Sequence, residues 1–144
     1  MKRVSLSILI VVLVGDFIYA QPAEEKLVLQ TLKTFSVALK NNDTIAAGTL
    51  FTNDYAFISW GLSMNKEQRI AAISSGQIIY EPFKEENIKI KQYQNTATAE
   101  VKVNGSVKAK NGTINDLKLV VFTLNKKGDQ WLIAGECNVI DCYK

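Results

Sequence analysis

Residues 41–61 read NNDTIAAGTLFTNDYAFISWG, and the order of events in this stretch sets the class of fold. Asn42 and Asp43 interrupt a helix arriving from upstream, because their short polar side chains compete for backbone hydrogen bonds. Asp43 is a good N-cap for a short second helix over TIAAGTL, since its carboxylate can accept from the open N–H groups of the first turn. From about Tyr55 to Trp60 the residues alternate, which predicts a strand that Gly61 ends. Tyr55, Phe57 and Ser59 share one face of that strand; Ala56, Ile58 and Trp60 share the other.

Upstream, AEEKLVLQTLKTFSVALKN (residues 23–41) places Val28, Leu29, Leu32, Phe35 and Leu39 along one stripe of a helix. Glu24 and Glu25 in its first turn and Lys40 in its last suit the helix dipole. Downstream, Asn65 is followed three residues later by Gln68, the spacing of a capping box, which predicts a third helix from about Lys66 to Ser74 closed by Gly76.

From Gln77 onward the pattern is β. Ile78, Ile79 and Tyr80 form a short strand before Pro82, and Ile88 and Ile90 alternate with Lys89 and Lys91. Residues 97–110 alternate throughout, with Ala97, Ala99, Val101, Val103, Val107 and Ala109 on one face. A two-residue hairpin at Asn104–Gly105 would oppose Lys102 with Val107 and mix charged with apolar residues on both faces. The strand is therefore read as continuous, with Gly105 at a bulge or bend and the turn at Asn111–Gly112. LKLVVFTL (residues 117–124) is apolar on both faces, as a central strand must be; KKGDQ turns, and QWLIAGECNVI is the last strand. Helices first and strands afterwards give an α+β fold, about three N-terminal helices on a mostly antiparallel sheet.

At the N-terminus, Met1-Lys2-Arg3 is a basic leader and VSLSILIVVLVG (residues 4–15) an apolar run, too short for the ~20 residues of a comfortable membrane span. With the small Ala20 before Gln21 this predicts a signal peptide over residues 1–20, a single domain over 21–144 and an exported (periplasmic or secreted) product without a membrane anchor after cleavage. An uncleaved anchor is the rival reading. The net charge of +3 is carried by scattered lysines and by two arginines, Arg3 and Arg69, which gives no basis for nucleic-acid binding. Lys102, Lys108 and Lys110 read as a solvated strand face.

The chain resembles the SnoaL-like, nuclear-transport-factor-two-like superfamily from about Glu24 to Ile140. The resemblance is carried by NNDTIAAGTLFTNDYAFISWG, by the helix after Gly61 and by the closing KKGDQWLIAGE. It implies a strongly curved sheet wrapped on three helices into a cystatin-like cone, often with an apolar pocket at its open end. Members include isomerases, dehydratases, cyclases, small-ligand binders and non-catalytic dimer modules, so the fold leaves the activity open.

Residue types narrow the chemistry. The chain has no histidine, which removes the commonest general base, the commonest metal ligand and every Ser-His or Cys-His nucleophile. No glycine-rich phosphate loop is present, and no cofactor or metal is expected. If the protein is an enzyme, Asp54 is the candidate base, with Tyr55 or Tyr80 donating to a developing oxyanion; the plainer and preferred reading is that Asp54 ends the short helix or a turn and that Tyr55 packs. Glu136 and Asn138 share a strand face, where Glu136 is a further candidate base or a plain sheet residue. Tyr55, Phe57, Trp60, Tyr80 and Phe122, with Phe83, are candidate walls of an apolar ligand pocket or simply core. Three Asn-x-Ser/Thr sequons, at Asn42, Asn104 and Asn111, matter only in a host that glycosylates exported proteins.

Cys137 and Cys142 are the two cysteines. A C-x₄-C spacing without histidine suits neither zinc nor a C-x-x-C redox pair, leaving a disulfide or two unrelated thiols. Five residues of extended chain span ~16 Å, so a bond needs the chain to turn back through Asn138 to Asp141. The trace predicts Cys137 on the same face as Trp131 and Ile133.

The leading expectation is an exported, non-catalytic small-ligand-binding or accessory domain that takes a small apolar molecule and forms a homodimer through its sheet. A small isomerase, dehydratase or cyclase with a carboxylate base is the alternative, and a structural dimer module with a filled cavity a further one.

Overall fold

In the computed structural model, residues 21–59, 61–109 and 112–139 are described. The expected signal peptide, Trp60, Lys110, Asn111 and Cys142 lie outside them. Helix α1 (Gln21–Lys40) presents Val28, Leu32 and Phe35 fully buried, the stripe its sequence spacing predicts. Asn42 takes a positive φ of 52° and ends it, and Asp43 caps α2 (Thr44–Thr49) through Oδ1, which accepts from the Ala46 N–H at 2.9 Å. β1 (Phe51–Ser59) begins four residues earlier than the alternation suggested, and its faces sort as expected. Tyr55, Phe57 and Ser59 are buried, Ala56 and Ile58 exposed.

Gly61, at φ 67°, reverses the chain into β2 (Leu62–Asn65), a strand the sequence reading missed because four residues are too few to establish a period. Asn65 then makes the expected capping box with Gln68 and starts α3 (Lys66–Ser74). β3 (Ile78–Tyr80), a single 3₁₀ turn at Glu85–Asn87, β4 (Ile88–Tyr93), β5 (Thr96–Ala109), β6 (Gly112–Lys127) and β7 (Gln130–Val139) complete the chain. The sheet order is β2-β1-β7-β6-β5-β3, with β4 beside β3 on the same edge of β5. Every pairing is antiparallel except β1 with β7. The sheet curls into a half-barrel around α1 and α3.

Two bulges shape the interior. Pairing of β5 with β6 slips on both sides of Gly105, so the bend falls where the charge pattern required it. The second bulge carries no such signal. Leu124 pairs Ile133 but Thr123 pairs Gly135, so Ala134 is an extra residue in β7. One extra residue inverts the side-chain parity beyond it. Trp131 and Ile133 point inward before the bulge; Glu136 and Asn138 point inward after it, and Cys137 is exposed on the outer face. The expectation that Cys137 shares a face with Trp131 and Ile133 is thereby corrected. Asn138 and Val139 still pair with β6, so the strand does not turn at Asn138, and any return toward Cys142 falls beyond Val139.

Candidate functional site: a buried arginine–glutamate pair

The inward turn of Glu136 brings it against residues from three other elements. Arg69, on the buried side of α3 with Ala72 and Ile73, reaches it with two parallel bonds. Nε donates to Oε2 and Nη2 to Oε1, each at 3.0 Å. Tyr55 Oη on β1 donates to Oε2 at 2.6 Å, and Tyr80 Oη on β3 donates to Oε1. Each carboxylate oxygen thus takes two donors, which fills its acceptor capacity. The side chains of Arg69 and Glu136 are both fully inaccessible to solvent. The rings of Phe57 and Tyr80 lie 5.3 and 5.7 Å from the guanidinium carbon and offer it their faces.

These neighbours set the protonation states. Burial, and then the Glu136 charge, push the Tyr55 and Tyr80 hydroxyls well above the ordinary tyrosine value, so both stay protonated and donate. Burial works against the Arg69 charge, but Glu136 and the tyrosine oxygens outweigh it and hold Arg69 above its ordinary value. The cluster therefore contains one cation, one anion and two neutral phenols.

Tyr80 Oη also lies 2.8 Å from Asn138 Oδ1. A hydroxyl has one proton, and the Glu136 carboxylate takes it. A half-turn of the Asn138 amide lets Nδ2 donate to Tyr80 Oη instead and satisfies both contacts. Some buried polar groups have no partner among the described residues: Arg69 Nη1, Asn138 Nδ2 (Oδ1 once the amide is turned), Ser59 Oγ and, on the outer part of β1, Thr52 Oγ1. Phe57 registers with Glu136 and Ile58 with Cys137, so Ser59 follows beside Asn138 on the inner face.

Of the residues singled out from the sequence, Tyr55 and Tyr80 do converge, but on Glu136. Asp54 is exposed on the other side of β1, beside a surface depression with Asn53, Asn125 and Lys127. Tyr55, Phe57 and Phe122 are buried within the core. An aromatic run links Tyr55 through Phe51 (4.1 Å, stacked), Phe35 (5.4 Å) and Phe83 (6.5 Å) to Tyr80 (6.0 Å), with Phe122 against Phe35 at 5.9 Å. A cleft of about 330 Å³ between the end of α1, α3 and β3, walled by Leu39, Ile73, Ile78 and Ile79, reaches Tyr80 from the surface. Arg69 was the residue the sequence reading passed over. Its signal was an arginine on the apolar side of a capped helix, in line with Ala72 and Ile73. Among the described residues, no three histidine, cysteine or carboxylate side chains stand together as a metal site.

Comparison with known proteins bears on the fold. An NTF2-like protein of Cytophaga hutchinsonii superimposes with a TM-score of 0.67 over 81% of this chain and 98% of its own, at 22% identity. The fold is NTF2-like. An NTF2-like protein with a cystatin-like fold from Novosphingobium aromaticivorans matches 90% of this chain and 89% of its own at a TM-score of 0.65 and 12% identity. One of unknown function from Pseudomonas putida covers 85% and 91% at 0.64 and 13% identity. No protein-family model matches the chain, and no curated protein is significantly similar to it in sequence. At these identities the NTF2-like likeness is one of architecture, and function rests on the site itself.

Proposed function

We propose that this protein is an exported, non-catalytic domain that binds a small, largely apolar molecule at the Arg69–Glu136 end of its NTF2-like cone. The observation that carries this reading is that buried polar atoms on Arg69, Asn138 and Ser59 have no partner among the described residues. Leaving such groups unmatched costs about 1–3 kcal/mol each, so a partner there would be favourable. The absence of catalysis is supported by Glu136 itself. A carboxylate engaged by four donors, two of them from a guanidinium, has no free lone pair with which to take a substrate proton. Asp54, the other candidate base, faces outward. A fragment library screened by ligand-observed NMR should give binders that perturb Ser59, Tyr80 and Asn138. If no fragment reaches that end, the structural module with a filled interior is the better reading, and the burial of Tyr55, Phe57 and Phe122 favours it.

The homodimer belongs to the same proposal. Ala56, Ile58, Leu119, Val121, Cys137 and Val139 form an outer-face patch across β1, β7 and β6, with Ile58 56% and Val139 41% exposed. Val121 registers with Glu100 and Leu119 with Lys102, which places opposite charges side by side at its border. A two-fold related copy can bury the apolar centre and match each Glu100 with a Lys102. Light scattering should give a dimer mass that Ile58→Lys reduces to a monomer; a monomeric wild type would remove the interface.

A further inference from the structure

At the β3 edge of the sheet, open backbone groups and an apolar cleft meet. β3 pairs with β5 along one side only, with Ile79 opposite Ser106. On either side of that pair, Lys108 N–H donates to Gln77 O at 2.8 Å and Glu81 N–H donates to Asn104 O at 2.9 Å. Backbone groups alternate in direction along an antiparallel strand. Gln77, Ile79 and Glu81 therefore turn theirs toward β5, and Ile78 and Tyr80 turn theirs to the open side. Both of these residues are buried, and neither N–H has a partner among the described residues. A buried N–H without a partner is rarer in proteins than an under-used carbonyl, and it favours an acceptor beside it.

The cleft of about 330 Å³ lies on that open side. Ile78, Ile79 and Tyr80 form one wall, the ends of α1 and α3 form the other, and no β5 residue contributes. Leu39 and Ile73 complete an aliphatic lining in which Lys40 is the only charged residue. The carboxylates next along the chain are engaged elsewhere, Asp43 with the Ala46 N–H and Glu81 with Asn104 Nδ2. Lys40 has no ion-pair partner among the described residues. An apolar slot that offers donors and a cation, and no anion, is complementary to a ligand that is apolar along its length and negative at one end.

Resting on the ligand-binding reading above, we infer that this cleft takes a single-chain aliphatic carboxylate. Its tail lies against Leu39, Ile73 and Ile78, its head accepts from an open N–H of β3, and Lys40 supplies the counter-charge.

The test titrates hexanoate, octanoate and 1-octanol, each below its aggregation limit, into ¹⁵N-labelled protein at pH 7. Octanoate should move the Ile78 or Tyr80 backbone N–H signal downfield and saturably. Each added methylene buried from water is worth about fourfold in affinity, so hexanoate should bind at least fivefold more weakly than octanoate. Octanol should bind at least tenfold more weakly than octanoate. Lys40→Gln, at an exposed position, should fold normally, weaken octanoate several-fold and leave octanol unaltered. Equal binding of octanol, or unaltered octanoate affinity in Lys40→Gln, would overturn the anionic head. Equal binding of hexanoate and octanoate would overturn the aliphatic tail. If octanoate leaves both N–H signals in place, the cleft assignment fails; fragments that still perturb Ser59 and Asn138 would then leave the ligand-binding reading standing, and their absence would remove both.

Discussion

Two carboxylates anchor this sheet to its helices, and they do so in different solvents. Glu24, on α1, accepts from Lys126 Nζ at 2.7 Å and from Trp131 Nε1 at 2.8 Å, with the ion-paired side chains 22% and 24% exposed. Glu136 accepts from Arg69 and two tyrosines with the ion pair at 0% exposure. Both join a helix to the β6–β7 hairpin, yet water shares the first pair and is shut out of the second. A pair that water still reaches is screened and contributes little. A buried pair is expensive to make and more expensive to break, because removing one partner leaves the other charge without solvent or counter-ion.

The sharpest way to break this contrast is Glu136→Ala, which strands Arg69 and should cost about 3–5 kcal/mol in urea unfolding. The double variant Arg69→Met/Glu136→Leu removes both charges and should be markedly more stable than Glu136→Ala. If the two unfold alike, the loss comes from packing and the electrostatic account fails. Tyr80→Phe removes one bond to a charged acceptor and should cost about 2 kcal/mol.

The tyrosines also predict an alkaline limit. Their folded pKa values lie above the unfolded value of about 10, so the native state holds protons that the unfolded chain releases. Their contribution is complete below that pH and lost as pH rises beyond it. Tyrosinate absorbance should show Tyr55 and Tyr80 ionising only when the protein unfolds; early ionisation of both would contradict their burial.

A smaller effect tests how Arg69 is delivered. Asn65→Ala removes the capping box of α3 and should cost about 1 kcal/mol by the same urea measurement. A larger loss would mean that the cap also fixes the helix angle that Arg69 needs.

At the surface, Glu24→Gln should produce the smallest change at neutral pH. Its hydrogen bonds from Lys126 and Trp131 hold the carboxyl below its ordinary value. Its contribution is therefore present above the unfolded carboxylate pKa and lost as pH falls through the folded one. Glu24→Gln should flatten that acid loss in a thermal melt series, and an unchanged acid limb would show that the contact adds nothing.

Much of this molecule was legible residue by residue where the controlling physics is local. Asp43 and Asn65 announce their helices because a cap needs only its own first turn. The continuous strand through Gly105 followed from rejecting a register that mixed charged and apolar faces. Tyr55, Phe57 and Ser59 fell on the buried face because nothing interrupts the alternation there. The same rule misplaced Cys137, because it assumes an unbroken strand and Ala134 breaks it. Glu136 was visible as a strand carboxylate and Arg69 as an unusual helix residue, but nothing local connects positions 67 residues apart.

The sequence by itself therefore determined the α+β order, the helix boundaries set by caps, the apolar stripe of α1 and the absence of histidine chemistry. Tertiary structure decided what lies inside the cone. A bulge is a property of two strands fitted together, and one extra residue on β7 sends Glu136 and Asn138 inward and Cys137 outward. Once inside, Glu136 requires a counter-charge, and only the packing of α3 against the curled sheet supplies Arg69 at that point.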